Sequence, residues 1–153
     1  WLLCAIIFMW TPPHFWALSL YTSEDYEKAG VPMMPVVAGS ASTRRQIFIY
    51  SLLFVPLCLV PAFTGLGGSA YLAVAGLGGA VFLILAWRVL RSKAGDSPDP
   101  RVDGRLYDVR AGAKDARNLF AFSILYLSLM FATLLVEALI GAPAFMNLIP
   151  GAA

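Results

Sequence analysis

A histidine and a short acidic run, close together in the N-terminal part of the sequence, are the side chains best suited to chemistry. His14 is the only histidine of the chain, and it lies in the largely apolar run Trp10-Thr-Pro-Pro-His-Phe-Trp16. The run Glu24-Asp-Tyr-Glu-Lys28 follows it. Mg²⁺ is commonly bound through one or two carboxylates together with substrate phosphates, and a lysine can hold phosphate charge directly. This acidic run could therefore bind a diphosphate, although an ordinary charge cluster at a membrane surface has the same composition.

Helical spacing connects the histidine with the acidic run. At about 100° per residue, positions four, seven or eleven apart lie close to one face of a helix. An unbroken helix would therefore carry one stripe made of Trp10, His14, Tyr21, Asp25 and Lys28. Thr22 and Ser23 could instead cap a new helix, which would interrupt this stripe.

The elements that position these residues are predicted to be transmembrane helices. The 153 residues are 59% hydrophobic and only 13% charged, whereas a soluble domain usually carries about 25% charged residues. Four apolar stretches are each close to the ~20 residues that span a hydrocarbon core, namely Trp1–Leu20, Ile47–Phe63, Ala70–Leu90 and Leu119–Ile140. We therefore predict an all-α, polytopic bundle with four spans, in which Pro12 and Pro13 bend or break the first helix.

The distribution of basic residues predicts the orientation of the chain in the membrane. Loops 21–46 and 91–118 contain Lys and Arg, whereas the turn at 64–69 and the tail after Ile140 contain neither. Because cytoplasmic loops are enriched in Lys and Arg, both basic loops are predicted to be cytoplasmic. Loop 91–118 is expected to be a solvated connector, with contact to anionic headgroups as the alternative. The first span then starts outside, so we expect an odd number of helices upstream of Trp1.

An imidazole inside a lipid-embedded helix is costly unless it faces a cavity or a partner, so His14 is a functional candidate. The alternative is a histidine bonded to a backbone carbonyl that Pro12 and Pro13 leave free. Trp10, Trp16 and Tyr26 could line an apolar substrate cavity, although aromatic residues at helix ends also serve as interfacial anchors.

Several runs of the sequence resemble the protohaem IX farnesyltransferase family (haem O synthases), within the intramembrane aromatic prenyltransferase (UbiA) superfamily. They are Trp10-Thr-Pro-Pro-His-Phe-Trp16, Glu24-Asp-Tyr26, Ala29-Gly-Val-Pro-Met-Met-Pro-Val-Val37, Thr43-Arg-Arg-Gln-Ile47 with Tyr50-Ser51, and Phe120-Ala-Phe-Ser-Ile-Leu-Tyr-Leu127. The resemblance covers nearly the whole chain, with loop 91–118 as its least familiar part. It implies a single domain of nine transmembrane helices, of which this chain supplies the last four over residues 1–153.

The resemblance also implies a reaction and its site residues. The family transfers the farnesyl group of farnesyl diphosphate to a vinyl group of protohaem, which gives haem O for terminal oxidase biogenesis. Asp25 would be the catalytic residue that holds Mg²⁺ and the diphosphate, and Lys28 would contact the diphosphate. Substrate contacts are expected from His14, at the porphyrin or its iron, and from Glu24, Tyr26 and Trp10.

The sequence departs from the superfamily pattern in two respects. The superfamily has two acidic motifs on cytoplasmic loops, and only a run resembling the second occurs in these 153 residues. That second motif usually has two aspartates four residues apart, whereas here Asp25 is the only clear candidate. We therefore expect the 153 residues by themselves to be inactive.

The same resemblance implies a location and a set of partners. It implies a multi-pass protein of the bacterial inner membrane, with the active-site loop in the cytoplasm. Implied partners are farnesyl diphosphate, protohaem IX, the lipid bilayer, and a haem A synthase or terminal oxidase assembly factors, and no nucleic acid is expected. Alternatives are a membrane prenyltransferase acting on a quinone precursor or chlorophyllide, and a non-catalytic membrane assembly factor. A transporter would need more charged or broken helices than His14 and Glu137 provide.

Overall fold

A computed structural model describes residues 1–22, 30, 32, 34–94 and 113–141. In these ranges all regular secondary structure is helical, in the order α1 (Leu2–Tyr21), α2 (Met34–Ala38), α3 (Ser40–Phe63), α4 (Ser69–Arg91) and α5 (Ala113–Leu139). The four long helices are long and apolar enough to cross a membrane. The predicted all-α bundle with four spans is therefore confirmed.

The four long helices form a closed ring. The third helix packs against α1 and α4, and α5 completes the ring by packing against α4 and α1. Large side chains fill the interior, among them Phe54, Tyr71, Phe82 and Tyr126, each of which is almost fully buried. Large apolar side chains also cover the outside, including Phe8, Leu77 and Leu135. An outer surface of this kind is expected where the surrounding solvent is lipid.

The helices differ in their ends and continuity from the apolar stretches. The first helix runs from Leu2 to Tyr21 without interruption, so Pro12 and Pro13 do not break it, whereas the bend given as the alternative stays a prediction. Prolines are tolerated in transmembrane helices because neighbouring groups satisfy the freed backbone carbonyls. The third helix begins at Ser40, before the apolar run at Ile47, because a helix can continue past the lipid boundary with polar residues.

Two tyrosine hydroxyls form hydrogen bonds between neighbouring helices inside the bundle. Tyr71 Oη donates to the carbonyl oxygen of Cys58 at 2.7 Å, and Tyr126 Oη donates to that of Ala75 at 2.8 Å. The close approach of α4 to α5 at Tyr126 depends on a glycine, because a Cβ built on Gly78 would lie 2.5 Å from the Tyr126 ring. Small residues permit such close helix approach in membranes.

Two glycines of α4 offer a matched test of this packing. We expect Gly78→Ala to destabilise the protein by about 1–3 kcal/mol, because the new methyl group must displace a ring fixed by its hydroxyl. Gly76→Ala is the control, since a Cβ at Gly76 meets nothing within 4 Å. The measurement is thermal unfolding in one detergent, and equal effects of the two substitutions would contradict the packing argument.

A carboxylate from α5 lies at the N-terminus of α4. Glu137 is buried, and its Oε2 accepts a hydrogen bond from the backbone N–H of Gly68 at 2.7 Å. Its Oε1 accepts from the N–H of Tyr71 at 3.1 Å. The first N–H groups of a helix have no partner inside the helix, and a negative charge there interacts favourably with the helix dipole. Glu137 therefore joins α5 to the start of α4.

Candidate functional site

The structure places two of the predicted site residues and leaves four outside the part it describes. Trp10 and His14 lie on α1, whereas Glu24, Asp25, Tyr26 and Lys28 fall outside the described residues. The first helix ends at Tyr21, and the Thr22 hydroxyl and backbone N–H both donate to the carbonyl oxygen of Leu18. Within the described residues, the predicted stripe therefore extends along α1 from Trp10 through His14 to Tyr21, and its positions Asp25 and Lys28 lie outside them.

His14 points into the interface between α1 and α5. Its side chain is buried, and Nδ1 lies 2.7 Å from the Oγ of Ser123 on α5. The Ser123 hydroxyl in turn donates to the carbonyl oxygen of Phe120 at 2.6 Å. The partner of the imidazole is therefore a side chain of another helix, and the alternative of a backbone carbonyl freed by the prolines is wrong.

Two aromatic rings stack on the imidazole. The Trp10 ring lies 4.1 Å from the His14 ring, centroid to centroid, with an interplanar angle of 21°. The Phe120 ring lies 4.6 Å from it at 23°. The Trp10 Nε1–H also donates to the backbone carbonyl of Ser123 at 3.0 Å. Trp10 is thus bonded to α5 within the bundle, an arrangement different from an interfacial anchor.

We call the group formed by Trp10, His14, Phe120 and Ser123 the imidazole cage. The sequence identified Trp10 and His14, but it gave no role to Phe120 or Ser123, which lie more than 100 residues further along the chain. A usable signal was present, because both residues belong to the run Phe120–Leu127. A serine one helical turn after a phenylalanine is a polar group within an apolar span, and such a group requires a partner.

Charged side chains form contacts between the helices at the end of the bundle that is predicted, from its basic loops, to be cytoplasmic. Arg44, on the first turns of α3, is buried and donates to the carbonyl oxygen of Ala94, just beyond α4. Arg88 of α4 forms an ion pair with Asp115 of α5 at 3.0 Å, and both side chains retain solvent access. Exposed pairs of this kind contribute little to stability. The buried hydrogen bond between Arg44 and Ala94 is therefore expected to stabilise the bundle more than the exposed ion pair.

The described residues contain no group of three or more His, Cys, Asp or Glu side chains that could hold a metal ion. The predicted ligands, with Asp25 first among them, lie outside those residues. Their chemistry fits Mg²⁺, since carboxylate oxygens are hard ligands of the kind this ion takes in proteins.

Comparison with known proteins gives consistent results. Residues 1–107 match the model of the UbiA prenyltransferase family. The chain is 67% identical over 147 residues to a Caulobacter vibrioides protein named protoheme IX farnesyltransferase, covering 92% of this chain and 44% of that protein. It is 55% identical over 141 residues to a Maricaulis maris protein of the same name, covering 92% and 42%. The chain thus spans less than half the length of these relatives, and no solved structure matches it.

Proposed function

Because the chain belongs to the UbiA prenyltransferase family, we propose that the full-length protein is a protohaem IX farnesyltransferase. It transfers the farnesyl group of farnesyl diphosphate to a vinyl group of protohaem IX, which forms haem O. The observation that carries this proposal is the 67% identity, over 92% of this chain, with a relative of that name. The buried imidazole cage is consistent with it, since a titratable ring within a transmembrane helix marks a functional site by default.

The diphosphate is proposed to bind at the acidic run. Asp25 holds Mg²⁺ with help from Glu24, and Lys28 contacts the diphosphate directly. When bound, the metal neutralises negative charge on the departing diphosphate. The support is chemical, because these residue types suit a magnesium diphosphate and follow α1 closely in the chain.

Protohaem is proposed to bind beside α1, with His14 at the porphyrin or its iron and with Trp10 and Tyr26 as further contacts. Support comes from the geometry of the cage, in which Trp10 and His14 form one stacked pair. A farnesyl cation would then add to an electron-rich vinyl carbon, which leaves a new cation beside the porphyrin. A water molecule would add to that cation and lose a proton, which gives the hydroxyethyl group of haem O.

The protein is proposed to be a multi-pass protein of the bacterial inner membrane, with the Asp25 loop in the cytoplasm. Arg88 and Arg91 lie in the last turn of α4, at the end that the charge pattern assigns to the cytoplasm. A haem A synthase or a terminal oxidase assembly factor is the proposed protein partner, because another protein must take up haem O after it is formed.

Product analysis tests the proposal. We expect membranes containing the full-length protein to convert protohaem and farnesyl diphosphate into a product with the mass of haem O. Liquid chromatography with mass spectrometry identifies that product, and membranes without the protein are the control. Formation of a prenylated quinone precursor alone would show another member of the superfamily, and absence of any prenylated product would favour a non-catalytic assembly factor.

A further inference from the structure

We propose that Ser123 is a positioning residue, which fixes His14 in the tautomer whose Nε2 binds the iron of protohaem as an axial ligand. The proposal rests on the proposed function, because it takes protohaem as the substrate. It adds a role for a residue of α5 and a single mode of contact for His14.

The direction of two hydrogen bonds determines the tautomer. A serine hydroxyl has one hydrogen to donate and two lone pairs that accept. The Ser123 hydrogen is donated to the carbonyl oxygen of Phe120, so toward His14 the hydroxyl can only accept. The proton of the neutral imidazole must then be on Nδ1, which leaves a free lone pair on Nε2. A neutral imidazole with an oriented second nitrogen is the usual form of a metal-ligating histidine.

The stacked rings determine how a substrate can approach His14. Trp10 and Phe120 cover the ring by stacking at centroid distances of 4.1 and 4.6 Å, so a porphyrin cannot stack on the imidazole in turn. Ser123 occupies the Nδ1 edge. Phe15 meets the ring edge-on, at 5.5 Å between centroids. Of the two ring nitrogens Nε2 is left for a ligand, since no described residue forms a hydrogen bond with it. A metal ion bound in the ring plane is the interaction that this nitrogen suits.

The cage also fixes the plane of the imidazole. Trp10 is anchored to the Ser123 backbone by its indole N–H, so the same residue of α5 orients both the ring of His14 and its stacking partner. Partners of this kind typically contribute about 10–100-fold to metal affinity. Ser123 therefore acts on substrate binding through His14, without touching the substrate.

The test uses the full-length protein in lipid nanodiscs with two probes, ferric protohaem and metal-free protoporphyrin IX. We expect His14→Ala and Ser123→Ala each to weaken protohaem binding by about 10-fold or more, while binding of the metal-free porphyrin is unchanged. The absorption spectrum of bound haem should lose its histidine-ligated form in His14→Ala and recover it when imidazole is added. In turnover, Ser123→Ala should raise the KM for protohaem far more than it lowers kcat, and Ser123→Thr should restore the KM.

A matched control is Ser51→Ala, which removes a buried hydroxyl whose hydrogen bond, among the described residues, stays within its own helix, to Ile47. An equal loss of both porphyrins in Ser123→Ala would show a structural role and overturn the proposal, as would an unchanged haem spectrum in His14→Ala. If His14→Ala does not fold, the proposal is decided by the protohaem affinity and KM of Ser123→Ala compared with those of Ser123→Thr. In each of these cases haem O formation by the unaltered protein would still stand, whereas its absence would mean that the proposed function had failed first.

Discussion

Replacing Asp25 by alanine in the full-length protein is expected to reduce haem O formation by about 100-fold or more. The proposed role of this carboxylate is to hold the metal that neutralises the departing diphosphate. That charge develops as the bond to the farnesyl group breaks, so its stabilisation acts mainly on the transition state. The loss should therefore be seen in kcat at saturating protohaem, measured as haem O formed per minute by mass spectrometry.

The control for this substitution is Asp103→Ala, which removes the same charge from the other loop predicted to be cytoplasmic. It should leave haem O formation within about twofold of the unaltered protein, because loop 91–118 is predicted to be solvated and substitutions in such loops usually have small effects. Full activity of Asp25→Ala would contradict the placement of the diphosphate at this run. If higher Mg²⁺ concentrations partly restore activity in Asp25→Ala, the carboxylate acts through the metal.

Replacing Glu137 by alanine is expected to destabilise the folded bundle by about 2–4 kcal/mol. The substitution leaves the N–H groups of Gly68 and Tyr71 without their carboxylate partner at a buried helix terminus. It also removes a negative charge from the positive end of the α4 dipole. Lipid supplies no replacement hydrogen bonds. Thermal unfolding of the purified protein in detergent measures the effect.

Glu137→Gln is the matched control for this prediction. The amide keeps the length of the side chain and one accepting oxygen, so it should retain one of the two hydrogen bonds and lose the charge. Its unfolding temperature should fall between those of the unaltered protein and Glu137→Ala. If all three proteins unfold at the same temperature, the carboxylate does not stabilise the α4 terminus.

The sequence was sufficient to predict the number of spans because the thickness of the bilayer sets the length of an apolar run. It was less informative about where helices end. Arg44 and Arg45 interrupt the apolar pattern before Ile47, yet α3 includes them, since apolarity marks contact with lipid and not the hydrogen-bonded turns of a helix. For the same reason, α1 continues through Pro12 and Pro13.

The candidate site was predictable in part. His14 could be selected because burying an imidazole in lipid has a cost that local residues do not offset. Its partner could not be identified from spacing, since Ser123 lies 109 residues away and no helical periodicity connects two separate helices. The pairing of Glu137 with the start of α4 was unpredictable for the same reason. Asp25 and its neighbours lie outside the described residues, so their roles stay predictions.

The bond between His14 and Ser123 has a consequence for biosynthesis. Chains are synthesised at about 5–20 residues per second, so the 109 residues between the two positions take roughly 5–20 s to emerge. During that interval α1 is already made, but the serine that satisfies its imidazole is not. The nascent chain must therefore keep His14 near water, a translocation channel or another polar group until α5 is inserted. Closing the ring of described helices is then a late event, in which α5 completes the surroundings of the imidazole on α1.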